Sequence, residues 1–131
     1  MDIFFGSWKL VKSVNMEKLL RASDCEEEEG NVIQALKPVI SFSQENDHLV
    51  KKTQTIIGTK IRTFQLGEEF QEESLFGQFY KTVINLDGEK LIQVYKCEGG
   101  EVTVLREIQN KDLIMTLTCD EATAVLTFQK V

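Results

Sequence analysis

The sequence has little of several residue types on which common protein chemistries depend. It contains one histidine, one proline and three cysteines among 131 residues. A single imidazole disfavours a histidine-rich zinc or copper site. The cysteines Cys25, Cys97 and Cys119 form no CxxC pair, and we expect them to be reduced residues of a cytosolic protein. We therefore expect no metal site and no cofactor.

Two further absences concern membranes and nucleic acids. No apolar run approaches the ~20 residues that a membrane-spanning helix requires, and the opening residues Met1 to Phe5 lack the basic flank of a signal peptide. The 21 acidic residues exceed the 15 basic ones, giving a net charge of −6, which disfavours nucleic acid binding. We expect a cytoplasmic protein without integral membrane contact and without a nucleic acid partner.

Pro38 divides the chain into a helical part and a strand-rich part. Residues 15–36 are expected to form two short helices, because apolar residues after Asn15 have helical spacing and Ser23 to Glu26 has the spacing of a capping box. Proline then ends the second helix. At 131 residues the chain has the length of one domain, so we expect residues 1–131 to form a single domain.

Turn signals recur about every ten residues after Pro38, with β-branched and aromatic residues between them. Such short connections leave no room for crossover helices, so consecutive antiparallel hairpins are expected. With the extended opening segment this gives about ten strands, and a meander of that length usually closes into a barrel. The turn signals are Asn46-Asp47, Gly58, Gly67, Gly77, Asp87-Gly88, Gly99-Gly100, Asn110-Lys111-Asp112 and Asp120-Glu121.

One charged residue interrupts an apolar strand face. Arg106 alternates with Val104 and Ile108, and in the next predicted strand Met115 and Leu117 share a face. Since arginine cannot lose its proton, burial requires an anion or hydrogen bonds in compensation. The pattern alone leaves two registers open, because a shift of one residue would point Arg106 to solvent.

The chain resembles the intracellular lipid-binding proteins, and among them the cytosolic fatty-acid-binding proteins. The resemblance implies an all-β fold, a ten-stranded up-and-down antiparallel β-barrel (clam) with a helix–turn–helix lid at about 15–36. It also implies one long-chain fatty acid or similar amphipathic lipid held inside, with Arg106 pointing inward. The matching segments are Phe5-Gly6-Ser7-Trp8-Lys9-Leu10-Val11, Lys37-Pro38, residues 64–72, Leu86-Asp87-Gly88-Glu89-Lys90-Leu91, Val104-Leu105-Arg106-Glu107 and residues 113–118.

The family's usual carboxylate site has two arginines and a tyrosine, and this chain departs from it. Arg106 matches the first arginine, but Leu126 occupies the second arginine position and Phe128 the tyrosine position. Met16 stands where the family signature has an aromatic residue. We take the candidate ligand-binding residues to be Arg106, Phe128, Leu126, Arg62, Gln93, Tyr95, Met115, Leu117, Val104, Pro38 and Met16.

Arg62 is a candidate replacement for the missing arginine. The family usually has an apolar residue there, facing inward, so Arg62 would supply a second interior cation. The alternative is that its long side chain reaches the rim or solvent. Gln93 and Tyr95, which share a face of their strand, would add hydrogen bonds to the ligand.

Other function classes receive less support from the sequence. His48 lies beside Asp47, with Ser41 and Ser43 near, but these residues flank a hairpin turn and show no nucleophile elbow. Glu72 and Glu107 are carboxylates without an evident pair. We therefore expect a monomeric, non-enzymatic protein that binds and transports long-chain fatty acids inside the cell. Alternatives are a carrier of another hydrophobic ligand, such as a bile acid or retinoid, and a barrel used mainly for protein interaction.

Overall fold

The computed structural model describes residues 1–15, 18, 38–56, 58–73, 79–97, 100–119 and 121–131. Apart from its first residue and Lys18, the helical lid predicted at 15–36 lies outside the described residues. Met16 lies outside them too. Both therefore stay predictions.

Ten β-strands account for almost all of the described chain. They follow a 3₁₀ turn at Asp2–Phe4, and most are separated by short turns, as the spacing of turn residues predicted. The strands are β1 (Gly6–Val14), β2 (Val39–Glu45), β3 (His48–Thr55), β4 (Gly58–Phe64), β5 (Phe70–Glu73), β6 (Phe79–Asp87), β7 (Lys90–Cys97), β8 (Gly100–Gln109), β9 (Asp112–Cys119) and β10 (Ala122–Lys130).

All ten strands belong to one antiparallel sheet that curls into a nearly closed barrel. The order is β4-β3-β2-β1-β10-β9-β8-β7-β6-β5, so β1 and β10, the first and last strands along the chain, are hydrogen-bonded neighbours. The two ends of the sheet also approach each other, because the rings of Phe64 in β4 and Phe70 in β5 stack with centroids 5.6 Å apart. This confirms the predicted ten-stranded fold.

Alternation along each strand separates the inner face of the barrel from the outer face. In β9, Leu113, Met115 and Leu117 are buried, whereas Ile114 and Thr116 between them are only half-buried. The same alternation recurs in β10. Apolar residues from most of the strands thus meet inside the barrel and form its core.

The chain ends are joined where β1 meets β10. The Val131 backbone amide donates to the Ser7 carbonyl at 2.9 Å. The Lys130 ammonium donates to the Phe5 carbonyl at 2.8 Å and lies 4.9 Å from the centre of the Trp8 ring. Gly6 has a φ of +118°, and a Cβ there would come within 2.7 Å of Lys130 Cε. The positive φ at position 6 therefore favours glycine, whereas the flexible end of the Lys130 side chain can move away from a Cβ.

The hairpin between β8 and β9 turns on two residues with positive φ. Asn110 has a φ of 51° and Lys111 a φ of 70°, as in the type I′ turn that suits the right-handed twist of a hairpin. Asparagine tolerates this conformation, but lysine adopts it at a cost.

Within the described ranges, no helix has the length and apolar character needed to cross a membrane.

Candidate ligand-binding site

Neighbouring strands place Arg106 on the inner face of the barrel. It lies opposite Leu91 of β7 and Met115 of β9, and Met115 lies opposite Leu126 of β10. Residues directly opposite each other in an antiparallel pair share a face. All four are buried, and Arg106 is only 2% exposed. Arg106 therefore points inward, and the register that would expose it to solvent is wrong.

A second row of predicted residues lies beside the first. Val104 stands opposite Gln93 on one side and Leu117 on the other, and all three are buried. Tyr95, on the same face of β7 as Gln93, is half-buried. Two further predicted residues, Phe128 and Pro38, are also buried. The fold thus gathers most of the predicted site on one stretch of inner wall.

The Arg106 guanidinium has few partners for a buried cation. Its Nη1 donates to Gln93 Oε1 at 2.7 Å, and its central carbon lies 5.6 Å from the centre of the Phe42 ring, within range of a cation–π contact. Its Nε is buried and has no hydrogen-bond partner. Since buried donors are nearly always satisfied, this one can take an additional acceptor.

Gln93 connects Arg106 to an internal ion pair. Its side-chain amide donates to Glu72 Oε2 at 2.9 Å and lies 3.1 Å from Thr82 Oγ1. Glu72 Oε1 accepts from Lys51 Nζ at 2.5 Å. Lys51 and Glu72 are 8% and 14% exposed in their side chains. A continuous polar chain therefore runs from β3 to β8 through the inside of the barrel.

The ion pair keeps both of its members charged despite their burial. Burial alone would lower the pKa of Lys51, but the Glu72 carboxylate and, to a smaller extent, Tyr95 together outweigh burial and raise that pKa above the ordinary value. Burial likewise would raise the pKa of Glu72, but Lys51, with a smaller effect from Arg106, holds it below the ordinary value. Burial raises the pKa of the Tyr95 hydroxyl, so this group stays a neutral donor.

Sequence reasoning missed Lys51 as a site residue and considered Glu72 only as a possible catalytic carboxylate. Alternation along β3 was the one sequence signal that could have indicated an inward-pointing Lys51, because Leu49 and Lys51 lie on the same face of that strand. However, two consecutive lysines, Lys51 and Lys52, left open which one points inward. The contact between Lys51 and Glu72 joins strands that are not hydrogen-bonded neighbours, so no local pattern could reveal it.

Arg62 lies directly opposite Lys51 in the pairing of β3 with β4. Since Lys51 is buried inside the barrel, the Arg62 side chain leaves the backbone on the same inner face. It is half-buried there.

The residues considered for a catalytic triad have other partners. The Ser41 and Ser7 hydroxyls are hydrogen-bonded at 2.8 Å, and His48 Nδ1 lies 3.2 Å from the side-chain amide of Gln65. His48 and Ser41 are far apart in the register of the β2–β3 hairpin. Among the residues that the structure describes, no three His, Cys, Asp or Glu side chains form a group suited to a metal ion.

Comparisons with known proteins agree with this architecture. The sequence model of the lipocalin / cytosolic fatty-acid binding protein family matches residues 5–131. A fatty acid-binding protein type 3 of Fasciola hepatica is 34% identical over the full length of both chains. A fatty acid-binding protein from Drosophila melanogaster brain tissue is 31% identical with a TM-score of 0.83, covering 96% of this chain and 98% of the other. A mutant of the fluorescent protein UnaG is 33% identical with a TM-score of 0.86, covering 98% and 96%.

Proposed function

Because this chain belongs to the lipocalin / cytosolic fatty-acid binding protein family, we propose that it binds a long-chain fatty acid inside the barrel and transports it. The two relatives named as fatty acid-binding proteins support this ligand class. The proposal includes a cytoplasmic location, a single domain over 1–131, a monomeric state and no enzymatic activity. The description of the family as cytosolic agrees with the location.

The unsatisfied positive charge at Arg106 is the observation that carries the proposal. The polar chain holds two cations, Lys51 and Arg106, and one carboxylate, Glu72, so its net charge is 2 − 1 = +1. Arg106 Nε still has an open donor site. A buried cation without an anion is costly. A fatty-acid carboxylate would balance the charge and accept from the free donor.

The apolar inner wall would supply most of the affinity. Burial of one methylene contributes about 0.8 kcal/mol, so fourteen methylenes contribute on the order of 11 kcal/mol. Association costs about 4–15 kcal/mol, and a charged hydrogen bond returns about 1.5–3 kcal/mol. Arg106 would therefore orient the carboxylate and reject uncharged head groups, while the tail provides the binding energy.

A second ligand class is favoured by Leu126. This residue is 2% exposed and stands two strands from Arg106, where the family's usual site has another arginine. The wall is more apolar there than a two-arginine site, which suits another hydrophobic ligand such as a bile acid or retinoid. The similarity to a fluorescent protein also indicates that proteins with comparable sequence identity to this chain differ in function.

The first experiment compares oleate with oleyl alcohol, which has the same tail and no charge. Titration of delipidated protein by calorimetry gives the ratio of their two affinities. We expect Arg106→Gln to reduce this ratio by about tenfold to a hundredfold, the equivalent of one charged hydrogen bond. Lys52→Gln, on the outer face of β3, is the matched control. A ratio that Arg106→Gln leaves unchanged in folded protein would exclude Arg106 as the carboxylate anchor.

Native mass spectrometry of freshly purified protein identifies the ligand class directly. A bound fatty acid supports the proposal, and a bound bile acid or retinoid supports the second candidate. Protein that stays empty after purification and after incubation with fatty acid would instead favour a barrel used for protein interaction.

A further inference from the structure

The inner face carries two cations directly opposite each other on neighbouring strands, and the proposed carboxylate site at Arg106 does not account for this pairing. Lys51 and Arg62 are directly opposite each other in neighbouring antiparallel strands, where Cβ atoms lie about 4.5–5.5 Å apart. Like charges in this position destabilise a sheet. An anion bound between β3 and β4 would relieve this repulsion.

Glu72 forms its ion pair with Lys51 and not with Arg62. One of its oxygens accepts from Lys51 and the other from Gln93. Within the described part of the chain, Arg62 makes no ion pair of its own. Lys60, two positions before Arg62 on the same face of β4, is half-buried and has an interaction of its own. Among Lys51, Arg62, Arg106 and Glu72 alone, the net charge is 3 − 1 = +2.

The two sites of unbalanced charge are different places on the wall. Arg106 on β8 has a free donor and a partner in Gln93. Arg62 on β4 is half-buried beside Lys51. A single carboxylate at Arg106 brings the count from +2 to +1 and leaves Arg62 uncompensated.

We propose that the barrel prefers an amphiphile whose polar end carries two negative charges, one held by Arg106 and the other by Lys51 and Arg62. Such a ligand is a long-chain molecule with two neighbouring carboxylates, or an alkyl phosphate. This inference rests on the proposed function in one respect, that the apolar tail lies inside the barrel. It adds a second anion site and a preference that a fatty acid does not satisfy.

The test uses three ligands with one tail: hexadecanoate, hexadecylsuccinate and hexadecyl phosphate. Calorimetric titrations of delipidated protein are made at about pH 8, where a phosphate monoester carries close to two charges. We expect at least one dianion to bind about tenfold or more tightly than hexadecanoate, since an added charged contact contributes at least that factor. Tighter binding of hexadecylsuccinate indicates a site for two separate carboxylates, and tighter binding of hexadecyl phosphate indicates a site for one phosphate.

Arg62→Leu is the decisive variant. It should reduce the ratio of dianion affinity to hexadecanoate affinity to within about threefold of unity, because it removes one of the two cations that hold the second negative charge. Lys52→Leu, a cation on the outer face of the adjacent strand, should leave the preference intact. Because the readout is a ratio of affinities, partial unfolding of a variant does not mimic the effect. Arg62→Gln provides a second test with a polar side chain.

The outcomes separate this inference from the proposed function. Equal binding of all three ligands by the unmodified protein, or a preference that survives both Arg62 variants, overturns the dianion site and leaves fatty-acid binding standing. Binding of a dianion without measurable binding of hexadecanoate overturns the proposed fatty-acid function and supports the inference.

Discussion

The ion pair between Lys51 and Glu72 should be the most sensitive polar contact in the barrel. Three variants test it: Lys51→Met, Glu72→Gln and the two combined. Removal of one member of a buried pair costs about 3–5 kcal/mol, because it leaves the other charge without compensation. The structure predicts which of the two single changes costs more.

The local charge sets the order of the three variants. The chain Lys51–Glu72–Gln93–Arg106 has a net charge of +1. Glu72→Gln raises it to +2, with both cations buried and no carboxylate beside them. Lys51→Met lowers it to 0 and leaves Glu72 with Gln93 as donor and Arg106 as a nearby positive charge. We expect Glu72→Gln to lose about 4 kcal/mol and Lys51→Met about 3 kcal/mol, both within that range.

Urea unfolding followed by fluorescence measures these differences. The single tryptophan, Trp8, is 2% exposed and should report the loss of the native barrel. With an m-value of about 2 kcal/mol/M, a loss of about 4 kcal/mol moves the midpoint by about 2 M. The double variant should cost less than the sum of the single ones, and Lys52→Met should stay within about 0.5 kcal/mol.

Either of two results would refute this reasoning. Additive losses would show that Lys51 and Glu72 do not interact. A larger loss for Lys51→Met than for Glu72→Gln would show that surplus positive charge inside the barrel is not what limits its stability.

Three further predictions concern stability. The folded-state pKa of Glu72 lies below its ordinary value of 4.5, so its stabilisation is complete above that pH and is lost as the pH falls below it. Unfolding free energies from about pH 6 to pH 3 should show a fall that Glu72→Gln diminishes; an unchanged profile would contradict the assignment. Leu126→Arg should lower the melting temperature without ligand, because it buries a further cation, and oleate should raise that temperature more than in the unmodified protein; equal shifts would speak against a carboxylate near this position. Lys111→Gly should raise the unfolding free energy in urea by about 0.5–1 kcal/mol by relieving a left-handed lysine, and a loss would show that the lysine side chain has another role.

The sheet could be predicted from the sequence because its connections are local. Asn46-Asp47 and Asn110-Lys111 each stand between two alternating segments and are hairpin turns in the structure, and the turn predicted at Asp87-Gly88 lies one residue later, at Gly88-Glu89. Turn residues act within a few positions of the chain, so their spacing gives strand number and direction. The pairing of β1 with β10 came from the resemblance and from the need to protect sheet edges.

The interior chemistry was only partly predictable, for a physical reason. Arg106 stood out because a cation interrupts an apolar face, and the family resemblance selected its register. Lys51 gave no such signal, since its neighbour Lys52 carries the same charge. The partner of Lys51 is 21 residues away, across the inside of the barrel. Contacts of this kind depend on how the closed sheet brings distant strands together, which no periodicity encodes.

The seam between β1 and β10 has a consequence for how the protein is made. Trp8 pairs with Lys130, 122 positions later, so closing this loop costs roughly 2 kcal/mol more entropy than closing one of about ten residues. During synthesis the hairpins after Pro38 can form as they emerge, but β10 emerges after the nine other strands. Strand β1 therefore keeps one edge unpaired until β10 has been synthesised.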